Sequence, residues 1–175
     1  CIIAFGGGSA IDCAKIIGAR VAYPKRSVLK MRRINSIRRE IPYLFAVATT
    51  GSGSENTSYA IINDASHCRK YTFFSDRLIP HVAVLDPMAI RLLPPDVTSE
   101  TGMDALAHAI ESYVSIYAEH FPADKANAVI ATPMIFQNLV KSYRDGLDID
   151  ARMQMALASH YAGLAFRRIS CGYAH

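Results

Sequence analysis

Cys1-Ile2-Ile3-Ala4-Phe5-Gly6-Gly7-Gly8-Ser9-Ala10-Ile11-Asp12 is the stretch on which the fold turns. Five apolar residues in a row, ended by three glycines, read as a strand buried on both faces, which needs no alternation of polar and apolar positions. Over residues 9–22 the apolar side chains fall at helical spacing, at Ile11, Ala14, Ile17 and Val21, and Ser9-Ala10-Ile11-Asp12 has the form of a capping box with Asp in place of Glu. Strand, glycine cluster and helix in immediate succession leave backbone N–H groups and the positive end of a helix dipole at the sheet edge, where they can cradle a phosphate. Glycines let the backbone approach a pyrophosphate without a Cβ in the way. A tight turn with no ligand would satisfy the same residues, and the pattern is not the GxGxxG fingerprint.

Working outward, Pro42-Tyr43-Leu44-Phe45-Ala46-Val47 reads as a second buried strand, and Thr49-Thr50-Gly51-Ser52-Gly53-Ser54-Glu55 follows it as a second glycine-rich turn. It would open at the same carboxyl edge of a parallel sheet. The hydroxyls of Thr49, Thr50 and Ser52 suit a phosphate or an amide-bearing ring, so two such turns at matched strand ends point to a nucleotide. Residues 57–62 and 81–85 are further strand candidates, the latter stopped by Asp86-Pro87. This is the rhythm of a partial Rossmann-like α/β sheet. After Leu93-Pro94-Pro95 it gives way to three helical stretches, near 99–115, 122–143 and 149–167. The expected division is an α/β nucleotide-binding part over 1–93 and an all-helical part over 94–175.

With 51% hydrophobic and 19% charged residues in 175, the chain lies far from the composition of disordered proteins. Its longest uncharged runs are shorter than a membrane-spanning helix, so no membrane partner is expected. Residues 20–40 hold eight basic side chains and one acid, while the rest carries 11 basic and 14 acidic residues. One short basic segment with a lone aromatic, Tyr23, reads as a solvated helix or loop and not as a nucleic-acid surface. Cys1, Cys13, Cys68 and Cys171 show neither paired nor even spacing, which argues against a disulfide framework and for a reducing, cytoplasmic setting. A chain that begins at Cys1 with no initiating Met, and ends at His175 with no stop signal, is expected to be a piece of a longer one.

Asp104 and His108 stand four apart in Gly102-Met103-Asp104-Ala105-Leu106-Ala107-His108-Ala109-Ile110-Glu111, on one face of a helix. A carboxylate oxygen and an imidazole nitrogen are proper ligands for a divalent transition metal. A salt-linked surface pair has the same spacing. Cys171 and His175 form another such pair, weakened by Gly172.

Gly6-Gly7-Gly8-Ser9-Ala10-Ile11-Asp12, the Gly-x-Gly-Ser-Glu turn, Val84-Leu85-Asp86-Pro87 and Thr101 to Glu111, in that order, closely resemble the iron-containing (group III) alcohol dehydrogenases over nearly the whole chain. The resemblance implies a nucleotide-binding α/β domain, an all-helical metal-binding domain in the two-domain plan shared with dehydroquinate synthase, and an NAD- or NADP-linked reaction. It matches Gly7, Gly8 and Ser9 to the pyrophosphate turn with Asp12 at its edge, and Lys70 to a lysine near the cofactor. Asp104, His108 and His175 match three metal ligands, which demotes Cys171 to a neighbour.

One departure lies in the second turn. Aligned without a gap, Ala48 lacks a hydroxyl that the family often points at the nucleotide, while Thr49, Thr50 and Ser52 retain theirs. The other is truncation: the early units of the nucleotide domain and a fourth ligand are missing, so the chain alone is expected to lack turnover. The implied activity is hydride transfer between a nicotinamide and a small alcohol or aldehyde, with Fe2+ favoured and Zn2+ compatible, and with homo-oligomers allowed. The alternatives are a glycerol dehydrogenase-like polyol oxidoreductase and a non-catalytic remnant. No side chain is assigned as acid or base, and the choice between NAD and NADP lies outside these residues.

Overall fold

The computed structural model describes residues 1–33, 36–169 and 172, which form two compact units. The first comprises Cys1–Ala48 and Ser54–Val84. Its strand β1 (Ile2–Gly6) runs straight into helix α1 (Gly8–Ala22), and β1 pairs in parallel with β2 (Leu44–Ala48), setting Ala4 opposite Ala46. Two further strands, β3 (Tyr59–Asp64) and β4 (Arg69–Phe74), form a separate antiparallel hairpin with Tyr59 opposite Phe74. The last strand, β5 (Val82–Val84), returns to the parallel sheet and gives the order β1-β2-β5. The α/β rhythm therefore holds, but the strand expected at 57–62 leaves the sheet, and β4 had no counterpart in the sequence reading. Only Phe73 of β4 is buried, so the strand lacks the apolar run that marks a core strand.

Helix α1 covers one face of the sheet. Ile11, Ala14, Ile16 and Ala19 pack with Ala4, Leu44 and Ala46, and Gly18 lets the helix approach closely, since a Cβ there would sit 3.3 Å from Ile41. On β1, Ile3 and Phe5 remain exposed. The capping box does not form: Ser9 already lies within the helix, Gly7 occupies the N-cap position without a side chain, and Asp12 turns inward. Among the described residues, the basic segment beyond the end of α1 carries a short 3-10 turn, Val28–Arg32. Tyr23 organises part of it, its hydroxyl accepting the N–H groups of Arg38 and Arg39 while the Arg26 and Arg39 guanidinium groups lie over its ring.

The second unit comprises Thr49–Gly53 and Leu85–His175. Its helices are α2 (Pro87–Ile90), α3 (Pro95–Val114), α4 (Pro122–Arg144) and α5 (Ile149–Phe166). The second unit takes up the chain again at Leu85, where Asp86 and Pro87 start α2, which packs on α5. The α3–α4–α5 core is largely alanine, with Ala105, Ala109, Ala128, Ala131, Ala158 and Ala162 buried around Ile135 and Met155. Small side chains bring the helix axes close, and Gly102 carries this furthest: a Cβ there would lie 2.3 Å from Leu139.

Two cation clamps close the ends of this unit. Arg152, almost wholly buried, donates from Nη1 to Thr98 Oγ1 (2.7 Å), from Nη2 to the Leu93 carbonyl (2.9 Å) and from Nε to the Gly146 carbonyl (3.0 Å). Arg168 forks onto Asp124 at 2.8 and 2.9 Å, just beyond α5.

Candidate functional site

In the first unit the candidate phosphate turn is the junction of β1 and α1. Gly6 has φ +147°, a conformation open to glycine, and a Cβ there would meet Ala10 at 2.8 Å. Gly7 has φ −80° and ψ −169°, which any residue adopts. The backbone thus requires glycine at the first position of the cluster and does not require it at the second. The Gly7 carbonyl accepts the N–H groups of Ala10 and Ile11, starting the helix, while the N–H groups of Gly8 and Ser9 ahead of them have no intrahelical acceptor.

Asp12 is spent inside the protein. Its Oδ1 accepts from Ser54 Oγ at 2.5 Å and its Oδ2 from the Ile61 N–H at 2.8 Å. One turn on, the fully buried Lys15 donates to the carbonyls of Thr57 (3.0 Å) and Tyr59 (2.6 Å), with Asp12 Oδ1 3.5 Å away. Tyr59 O and Ile61 N point to the same edge of β3, opposite the edge that pairs with β4, so a charged pair on α1 takes the place of a neighbouring strand. Burial pulls the Lys15 ammonium down from the ordinary 10.5 to about 8, against the opposing pull of Asp12 and Glu55. Lys15 went unnoticed in the sequence although it falls on the apolar side of α1 beside Ile11 and Ala14, where a charge signals a buried partner. Lys70 is exposed on β4, opposite Asn63.

In the second unit, Thr49, Thr50 and Ser52 flank two glycines that are required for different reasons. Gly51 meets α3 head-on, since a Cβ would lie 1.9 Å from the Thr101 carbonyl oxygen. Gly53 has φ +66° and presses on α5, where a Cβ would lie 2.8 Å from Gly163 Cα and 2.9 Å from Phe166 Cε1. The turn is packed against both helices at its two glycines.

Asp104 and His108 share a face of α3, with Asp104 Oδ1 3.9 Å from His108 Nε2. Two donors on one tetrahedral cation, each at about 2.1 Å, lie about 3.4 Å apart, so a closure of about 0.5 Å by side-chain rotation would bring this oxygen–nitrogen pair onto one divalent cation. The carboxylate is partly exposed and the imidazole is buried, stacked on Phe166 with centroids 4.1 Å apart. Among the described residues no cluster of three or more His, Cys, Asp or Glu side chains forms a complete cage. His175, expected as a third ligand, and its neighbour Cys171 lie outside the described residues.

A glycine-started helix on a parallel sheet, joined in one chain to an all-helical unit with a carboxylate–imidazole pair on one helix face, defines a two-part α/β and α protein. Sequence profiles narrow this class: that of iron-containing alcohol dehydrogenase matches residues 1–87, and that of the C-terminal part of the Fe-containing alcohol dehydrogenase family matches 98–175. The chain belongs to the iron-containing alcohol dehydrogenase family.

Among its relatives, the probable alcohol dehydrogenase EutG of Salmonella typhimurium is 39% identical over 174 residues, covering 99% of this chain and 44% of the relative. The NAD-dependent methanol dehydrogenase of Bacillus methanolicus is 38% identical, at 99% and 45% coverage. The solved structure of a 1,3-propanediol oxidoreductase superposes with a TM-score of 0.93 at 35% identity, covering 99% of this chain and 45% of that one. A sulfoacetaldehyde reductase from Bifidobacterium kashiwanohense, solved with NAD+, gives 0.83 at 31% identity, covering 94% and 44%. The chain thus spans less than half the length of these relatives.

Proposed function

We propose that this chain forms part of a metal-dependent, NAD-linked alcohol dehydrogenase or aldehyde reductase acting on small alcohols, and that it supplies the pyrophosphate turn and three metal ligands, Asp104, His108 and His175. The observation that carries this is the Asp104–His108 pair, an oxygen and a nitrogen donor 3.9 Å apart on one helix face, in a member of this family. Asp104 and His108 would hold the cation, and the first-turn N–H groups of α1 would meet the pyrophosphate. When bound, the nicotinamide carries the hydride and the divalent cation, Fe2+ or Zn2+, acts as a Lewis acid on the substrate oxygen. The protein's own contribution is orientation: α1 is pinned by Asp12 and Lys15, and the His108 imidazole is held in a dry contact with Phe166. NADP stays open as the alternative cofactor, since the relatives include an NADPH-dependent butanol dehydrogenase from Clostridium saccharobutylicum.

Replacing His108→Ala tests the ligand assignment. Bound metal, measured by elemental analysis after dialysis, is expected to fall to a small fraction of that in the parent protein; full occupancy in the variant would end the assignment. The cofactor turn has its own test in Gly7→Val. Since φ at Gly7 suits valine, the variant should fold with an unchanged unfolding midpoint while its NAD(H) dissociation constant, read by fluorescence titration, rises at least about tenfold, a loss of about 1.4 kcal/mol. Unchanged affinity would place the pyrophosphate elsewhere.

A further inference from the structure

A metal-binding histidine must present one ring nitrogen along a fixed direction, yet the torsion that sets the ring plane is broad and intrinsically weak. At His108 that plane is set from outside. The Phe166 ring lies flat against the imidazole, with centroids 4.1 Å apart and planes 21° from parallel, while Nε2 faces Asp104. Phe166 is the last residue of α5, and it is in turn located by the second glycine turn: Gly53, held at φ +66°, brings its backbone so close that a single added carbon would lie 2.9 Å from Phe166 Cε1 and 2.8 Å from Gly163 Cα. The ring therefore has the turn that carries Thr49, Thr50 and Ser52 close against its Cε1 and the imidazole of α3 stacked on its face.

We propose that Phe166 is a positioning residue for the metal site: its ring fixes the ligating orientation of His108 and ties that orientation to the second glycine turn. This rests on the reading of Asp104 and His108 as ligands. Phe166 itself donates nothing to the cation. What it supplies is a flat wall, which a branched aliphatic side chain of similar volume does not reproduce and a tyrosine does. The turn, by pressing on the ring edge, makes metal affinity sensitive to a residue that offers no metal-binding atom.

The test uses the protein with its metal removed and Zn2+ or Co2+ added back alone, with affinity read by chelator competition and ligand geometry by the visible absorption of the Co2+ form. Phe166→Leu should weaken metal binding about tenfold, the lower end of what loss of an orienting partner does to a metal site, and should shift the Co2+ bands. Phe166→Tyr should restore both to within about twofold of the parent. Gly53→Ala, which pushes on the ring without touching a ligand, should shift the Co2+ bands in the same sense as Phe166→Leu. The proposal is overturned if Phe166→Leu binds metal with parent affinity and spectrum, or if Phe166→Tyr loses as much as Phe166→Leu. Should Phe166→Leu fail to fold by circular dichroism, an unchanged Co2+ spectrum in Gly53→Ala overturns it. Retention of metal by His108→Ala would defeat the ligand reading itself, whereas its loss there together with full retention in Phe166→Leu defeats only this inference.

Discussion

Lys15→Met is expected to lower the unfolding free energy by about 3 kcal/mol. Removing one partner of a buried ion pair typically costs 3–5 kcal/mol, because the remaining charge is left in a medium that cannot solvate it. Here the loss falls at the lower end, since Asp12 keeps hydrogen bonds from Ser54 and Ile61. The carbonyls of Thr57 and Tyr59 lose their buried donor as well, so β3 loosens along the edge that faces α1. Against a total of 5–15 kcal/mol for a typical domain the change is large and is measured by urea titration.

The same substitution carries a pH signature. In the folded chain Lys15 releases its proton near pH 8, and in the unfolded chain near 10.5. Between those values the unfolded state holds a proton that the folded state has given up, so stability rises with pH across this window. The burial penalty on the ammonium is present below pH 8 and is relieved as the pH climbs. The parent protein should gain roughly 3 kcal/mol relative to Lys15→Met from pH 8 to 10.5, at 1.36 kcal/mol per pKa unit. A constant difference between the two across that range would show that Lys15 titrates normally.

Gly51→Ala should be nearly as damaging, for a steric reason. The new methyl would lie 1.9 Å from the Thr101 carbonyl oxygen, a backbone atom in the middle of α3 that no rotamer change can move. Either the turn lifts off the helix or α3 bends, and overpacking of this kind costs roughly 1–3 kcal/mol, occasionally more. With backbone on one side of the clash we expect the upper end, a fall in Tm of roughly 6–12 °C for a chain of this size. A variant as stable as the parent would mean that Thr49–Gly53 is not seated on α3.

Much of the fold was legible because each early element carries its own local signal. The apolar run before Gly6, the helical spacing of Ile11 and Ala14, and the prolines at 94–95 that precede the helical stretches are properties of short windows. What could not be read depends on partners far along the chain. The departure of β3 from the parallel sheet is written in Asp12 and Lys15, more than forty residues away, and it turned an apparent capping residue into an edge-strand partner. The placement of Thr49–Gly53 with the helices rests on a carbonyl of α3 and a ring of α5. The Asp104–His108 pair was visible from spacing, but its exposure, its 3.9 Å separation and the ring behind it were not.

Arg152 decides how the helical unit comes apart. Its guanidinium touches three oxygens from three places, the Leu93 connection, the first turns of α3 and the α4–α5 link at Gly146, and it has no carboxylate among them. If any one of those segments frayed alone, a buried cation would be left short of acceptors, so each opening raises the free energy of a charge that the other two still hold. Independent local openings are thereby discouraged, and the backbone amides of the Leu93 connection, the start of α3 and the α4–α5 link should exchange with solvent as one group, not as three.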